Sequence, residues 1–69
     1  MNLHIGEEIR RRRKHLKITQ QDLSELSGVS LRTIKAIERG QANPTIDICT
    51  KLLEPLGLVL TTAERIRNE

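Results

Sequence analysis

A chain of 69 residues makes one small domain, and a domain of that size buries only about 60% of the surface its unfolded chain exposes. It contains no Phe, Tyr or Trp, so aliphatic side chains must build the core, and its single cysteine excludes an internal disulfide or a multi-thiolate metal site. The net charge of +3 is uneven: Arg10, Arg11, Arg12, Arg13, Lys14 and Lys17 meet only Glu7 and Glu8 before Ile18, and the rest of the chain is slightly acidic. A local basic face suits a polyanionic partner or is simply a solvated helix surface, and charge alone does not choose between them. There is no secretory leader and no apolar run of about 18 residues, so the expected location is cytoplasmic, with no membrane contact.

Ile5, Ile9 and Leu16 mark one face of a first helix over about residues 4–16, with Glu7–Arg11 and Glu8–Arg12 as acid-first i,i+4 pairs. Thr19 opens a capping-box pattern with Asp22, and a second helix follows with Leu23 and Leu26 inward until Gly28 closes it. Ser30 caps a third helix that runs to Gly40. The stretch "QANP" is a turn, because the residue before Pro44 is pushed from helical angles. Thr45 caps a fourth helix carrying Ile46, Cys49, Leu52, Leu53 and Leu56, which Pro55 kinks or shortens near its end. Leu58–Leu60 is a candidate short strand, and Thr61 caps a last helical turn with Ile66 or begins a frayed tail. The domain is expected over residues 1–60, with a helix-turn-helix at about 19–40 and a short extension at 61–69.

The third helix divides into two faces. At about 100° per residue, Ile34 and Ile37 set the inward direction. Arg32 and Arg39 then fall nearly opposite, Lys35 and Ala36 lie outward on either side, and Leu31 sits at the boundary. Two short helices joined by a tight turn containing Gly28 form a helix-turn-helix, whose second helix enters the DNA major groove. Arg donates two bonds to guanine O6 and N7, Lys bonds a base or a phosphate, and Leu31 and Ala36 fit against a thymine methyl. The competing reading is an amphipathic helix with a solvated basic face; the turn upstream favours the DNA reading.

The run Thr19-Gln20, Leu23, Gly28-Val29-Ser30, Thr33-Ile34, Ile37-Glu38, Gly40, Asn43-Pro44 resembles the helix-turn-helix of lambda-repressor-like bacterial regulators, the xenobiotic-response-element type. The similarity spans about residues 5–60. It implies an all-α fold of four to five helices, with a short C-terminal strand in the four-helix version, that binds operator DNA as a symmetric dimer. By the same resemblance Leu31, Arg32, Lys35 and Ala36 face base edges. Gln20, Thr33, Arg39, Gln41 and Asn43 lie near phosphates, the first favoured also by the open N–H groups of a helix N-terminus. Arg13 and Glu38 are implied to pair, bracing the first helix against the third. The chain departs from the pattern at Arg12, where leucine is usual, at Ser24, where alanine is usual, and at Leu31, where polar readers are common. Arg12 is therefore expected either to run its stem along the core edge or to leave the core thinner there, and Ser24 to bond back to a helix carbonyl.

His4 and His15 are too far apart on one helix to share a metal, and Cys49 reads as a buried small hydrophobe. No metal, cofactor or enzymatic role is expected. Leu56, Leu58, Val59 and Leu60 either complete the core or form a dimer interface, with Leu58–Leu60 pairing as an antiparallel ribbon. "LGLVL" is similar to what some antitoxins carry after this helix. The functional expectation is a homodimeric, sequence-specific repressor of a palindromic operator; the alternative is an antitoxin that masks a toxin protein, with DNA binding as autoregulation.

Overall fold

The computed structural model describes residues 5–60, and His4 and the elements expected from Thr61 onward lie outside them. Four helices follow in order: α1 Ile5–His15, α2 Gln20–Ser27, α3 Leu31–Glu38 and α4 Ile46–Leu53, with α4 running into a 3-10 turn at Glu54–Leu56. The expected all-α class is the observed one.

The starts of α2, α3 and α4 are each set by a side chain that satisfies backbone N–H groups the helix itself leaves open. Thr19 accepts from the Asp22 N–H while Asp22 accepts from the Thr19 N–H at 2.8 Å, a complete capping box. Ser30 accepts from Thr33 N–H and Thr45 from Ile48 N–H. The hydrogen bonds from Thr19, backbone first, hold the Asp22 carboxyl below the usual carboxylate range, so a negative charge stays at the positive end of α2.

The helix ends show one feature the sequence did not announce. Gly28 closes α2 in the left-handed conformation, its φ at 77°. Helix α1 is closed by a residue in the same conformation, but there it is Lys17, at φ 60°, with Ile18 N–H reaching back to the Arg13 carbonyl. A lysine in the left-handed region carries a steric cost that glycine avoids. Pro55 shortens α4 as expected: the α-helix ends at Leu53 and tightens into the 3-10 turn that contains the proline.

The core consists of Ile9, Leu23, Val29, Ile34, Ile37, Leu52, Leu53 and Leu56, drawn from every helix and from the α2–α3 turn. Ile5, Ile18, Ala42, Ile48 and Leu58 pack at its margin. Cys49 is buried, and desolvation raises its thiol pKa, which keeps it protonated and inert. Three expectations are corrected. Leu16 and Leu26, expected on inward faces, are exposed, at 39% and 63% of their surface. On α2 the inward stripe is Gln20, Leu23, Ser24 and Ser27, and Leu26 falls off it; on α4 the stripe is Ile48, Cys49, Leu52 and Leu53, and Ile46 falls off it. Leu58–Leu60 is irregular, and no strand occurs among the described residues, because a lone extended segment in a helical fold has no ladder to join.

Gly6 fixes how closely α1 and α3 approach. It is buried, and a Cβ at this position would lie 2.0 Å from the Ile37 carbonyl oxygen. No rotamer relieves a clash between a Cβ and a backbone, so α1 would have to lift off α3. Gly6→Ala is expected to destabilise the domain by about 1–3 kcal/mol or more, despite alanine's better helix propensity. Thermal denaturation checks this: an alanine variant that melts at or above the wild-type temperature contradicts the close approach.

Candidate nucleic-acid interface

The α2–α3 turn occupies three residues, Gly28, Val29 and Ser30, and is bonded at almost every step. Ser24 Oγ donates to the Val29 carbonyl at 2.7 Å, and Val29 N–H donates to Ser27 Oγ at 3.1 Å. Ser24 thus bonds forward to the turn rather than back to a helix carbonyl. Val29 itself is buried, so the turn is anchored by both its backbone and its side chain. Ser30 Oγ also donates to Thr33 Oγ1 at 2.8 Å, which fixes the first turn of α3.

Held this way, α3 presents two faces. Ile34 and Ile37 are fully buried, whereas Arg32, Lys35 and Arg39 are exposed and Leu31, Thr33 and Ala36 are half-buried. Among the described residues no carboxylate pairs with Arg32, Lys35 or Arg39. Gln41 and Asn43 are exposed in the loop between α3 and α4.

Behind this face lies a buried ionic knot. Arg13 Nε donates to Glu38 Oε2 at 2.9 Å and Nη2 to Glu38 Oε1 at 3.0 Å, a two-pronged pair between α1 and the last residue of α3. The side chains are 9% and 3% exposed, and Arg13 Nη1 also donates to the Ile18 carbonyl at 2.9 Å. Gln20 Nε2 donates to Glu38 Oε1 at 3.1 Å, joining the start of α2 to the same carboxylate. Among the described residues no buried side-chain nitrogen or oxygen lacks a partner.

Arg12, which stands where leucine is usual, is half-buried. Its Nε donates at 3.0 Å to the carbonyl of Leu56, the last residue of the 3-10 turn, and so ties α1 to the end of the fold. The arginine at a position where the resemblance expects leucine is the signal for this contact. The i,i+4 pairs expected on α1 give way as a result: Glu8 pairs instead with Arg11, three residues on.

A family model described as "Helix-turn-helix" matches residues 9–61. The chain belongs to this helix-turn-helix family, of the xenobiotic-response-element type. Among its relatives, a Haemophilus influenzae protein named as an uncharacterized HTH-type transcriptional regulator is 41% identical over 97% of this chain and 71% of its own length. A Methanothermobacter thermautotrophicus protein of the same description is 39% identical, covering 71% of each chain. The HTH-type transcriptional regulator DicA of Escherichia coli is 48% identical over 64% of this chain and 33% of its own. No solved structure matches the chain significantly.

At the end of this helix-turn-helix domain, Leu56 is fully buried in the chain's own core, Leu58 is half-buried, and Val59 and Leu60 are exposed. Among the described residues no three His, Cys, Asp or Glu gather as metal ligands, and no helix is long and apolar enough to cross a membrane.

The knot makes Glu38 a structural residue with a measurable weight. Glu38→Ala leaves Arg13 buried without its partner, and loss of one member of such a pair costs about 3–5 kcal/mol. Chemical denaturation is expected to show a loss of that order; a loss under about 1 kcal/mol would place the pair among exposed ones.

Proposed function

We propose that this chain is a sequence-specific DNA-binding transcriptional regulator, acting as a homodimeric repressor of a palindromic operator. The observation that carries this reading is the outer face of α3, where Arg32, Lys35 and Arg39 stand exposed, with no acidic partner among the described residues, behind a turn that fixes the helix's direction. Family membership and the relatives' names as HTH-type transcriptional regulators support it.

In this mechanism α3 enters the major groove. Arg32 donates two hydrogen bonds to a guanine, Lys35 bonds a second base or a nearby phosphate, and Leu31 and Ala36 meet thymine methyl groups. Thr33, Arg39, Gln41 and Asn43 hold phosphates on either side, which supplies affinity and register without reading sequence. Gln20 serves two partners: its carboxamide carries two N–H bonds, one already given to Glu38 and the other open to a phosphate. Repression follows from occupancy, because a site held by this domain is closed to other proteins.

Dimerisation rests on the C-terminal end of the described chain, where Val59 is 82% and Leu60 49% exposed. Two adjacent bare aliphatic side chains on so small a domain are better covered, and Leu58–Leu60 of a second copy supplies both an apolar cover and a strand partner. The two α3 helices of such a dimer read half-sites about 34 Å apart, one turn of DNA.

Arg32→Ala is expected to fold as the wild type does and to lose about 1–3 kcal/mol of discrimination at one base position, read by selection from a random-sequence duplex pool. If the variant selects the same sequence with the same stringency, Arg32 does not read a base. Val59→Asp is expected to convert a dimer to a monomer in sedimentation measurements. A wild-type chain that is already monomeric at high concentration removes the homodimer.

A further inference from the structure

The reading of α3 leaves the basic run of α1 without a task. Arg12 and Arg13 are committed inside the fold, to Leu56 and Glu38, and Arg11 pairs with Glu8. Arg10 and Lys14 remain, both exposed, and among the described residues neither has an acidic partner. They are four residues apart, so they stand as neighbours on one helix face, a like-charge arrangement that costs an isolated helix a few tenths of a kcal/mol. A cation in the last turn of α1 is favoured by the helix dipole, which accounts for Lys14 but not for Arg10 one turn earlier.

The fold brings this pair to the recognition helix. Gly6 lies against the backbone of Ile37 and Glu38, so α1 crosses the last turn of α3 with nothing between them, and Arg10 stands one turn beyond that crossing. Arg10 and Lys14 line a shallow groove together with Arg39, which follows α3 and lies two turns from Arg32 on the same side. Glu7, Glu8 and Glu38 also border the groove. Glu8 is neutralised by Arg11 and Glu38 by Arg13, which leaves Glu7 alone against three cations.

We infer that Arg10 and Lys14, with Arg39, form a second phosphate-binding surface that grips the DNA backbone beside the segment read by α3. This rests on the proposed function and extends it. The groove is continuous with the exposed face of α3 through Arg39, its charge is complementary to a phosphate chain, and its residues are flexible cations suited to backbone contacts rather than base reading. It adds affinity and salt dependence, and it leaves sequence preference untouched.

The test measures binding of a duplex enriched by the wild-type protein from a random-sequence pool, by fluorescence anisotropy across a series of KCl concentrations. Each phosphate contact contributes about 0.9 to the slope of log affinity against log salt. Arg10→Gln and Lys14→Gln are each expected to lower that slope by about one contact, and the double variant by about two, with the same bases preferred. Lys51→Gln on α4, a charge removed from outside the groove, is expected to leave the slope unchanged. Circular dichroism melts of the variants confirm that these exposed positions do not alter folding. Slopes equal to the wild type in folded variants overturn the inference, as does an equal effect of Lys51→Gln, which would show bulk charge rather than a site. The two readings fail differently: a wild-type chain that binds no duplex overturns both, whereas Arg32-dependent selection with unchanged slopes overturns only this one.

Discussion

The contact between Arg13 and Glu38 sets the frame for the rest of the molecule. It joins α1 to the final residue of α3, and the remaining prong of the guanidinium takes the Ile18 carbonyl in the α1–α2 loop. Gln20 adds the start of α2 to the same carboxylate. Three helices therefore meet at one ionic centre, which lies on the inner side of the helix whose outer side carries Arg32, Lys35 and Arg39. Taking two charges out of water is costly, and apolar replacements of similar shape are often as stable. What a two-pronged arginine–carboxylate pair supplies that an apolar contact does not is direction, since its planar geometry allows few alternative orientations. The orientation so fixed is that of α3 relative to α1, on which both the exposed cationic face of α3 and the α1 groove depend.

That centre works alongside a packing constraint. Without aromatic side chains, the core is filled by branched aliphatics of modest size, and helices must come close for them to touch. Gly6 permits this at the crossing of α1 and α3, where even a methyl group meets a carbonyl oxygen. The ionic pair sets the angle of the crossing and the glycine sets its distance. A domain that leaves so much of its surface in water has little margin for losing either.

Most of the fold could be read from the chain because its punctuation is explicit. Thr19, Ser30 and Thr45 announce three helix starts, and Gly28, Gly40 and Gly57 announce three ends, each through a local preference that needs no tertiary information. The errors share a cause. Leu26 is assigned inward by apolarity, yet the inward stripe of α2 holds Ser24 and Ser27, whose hydroxyls secure the turn. A periodicity that counts only apolar residues cannot see a face buried by hydrogen bonding. Lys17 hides the end of α1 for the converse reason, since a lysine in the left-handed conformation carries no sequence mark. The candidate site was legible to a similar degree: the α3 wheel sorts Arg32, Lys35 and Arg39 from Ile34 and Ile37 correctly. The bonds of Gln20 to Glu38 and of Arg12 to Leu56 join residues 18 and 44 positions apart, and no local rule reaches that far.

The basic run on α1 shows why residue type alone underdetermines role. Arg10 through Lys14 are five consecutive cations, and the helix sends them in different directions. Arg13 goes to a buried carboxylate, Arg12 to a backbone carbonyl, Arg11 to a surface glutamate, and Arg10 and Lys14 to open water beside α3. At 100° per residue no two consecutive residues share the same surroundings, so a charge run on a helix is several environments rather than one patch. Only the two cations that the fold does not employ are available to a partner, and they are the two that the groove shares with Arg39. The part of α1 left open is thus set by which of its arginines the fold has already taken, and the residual charge falls beside the exposed cationic face of α3.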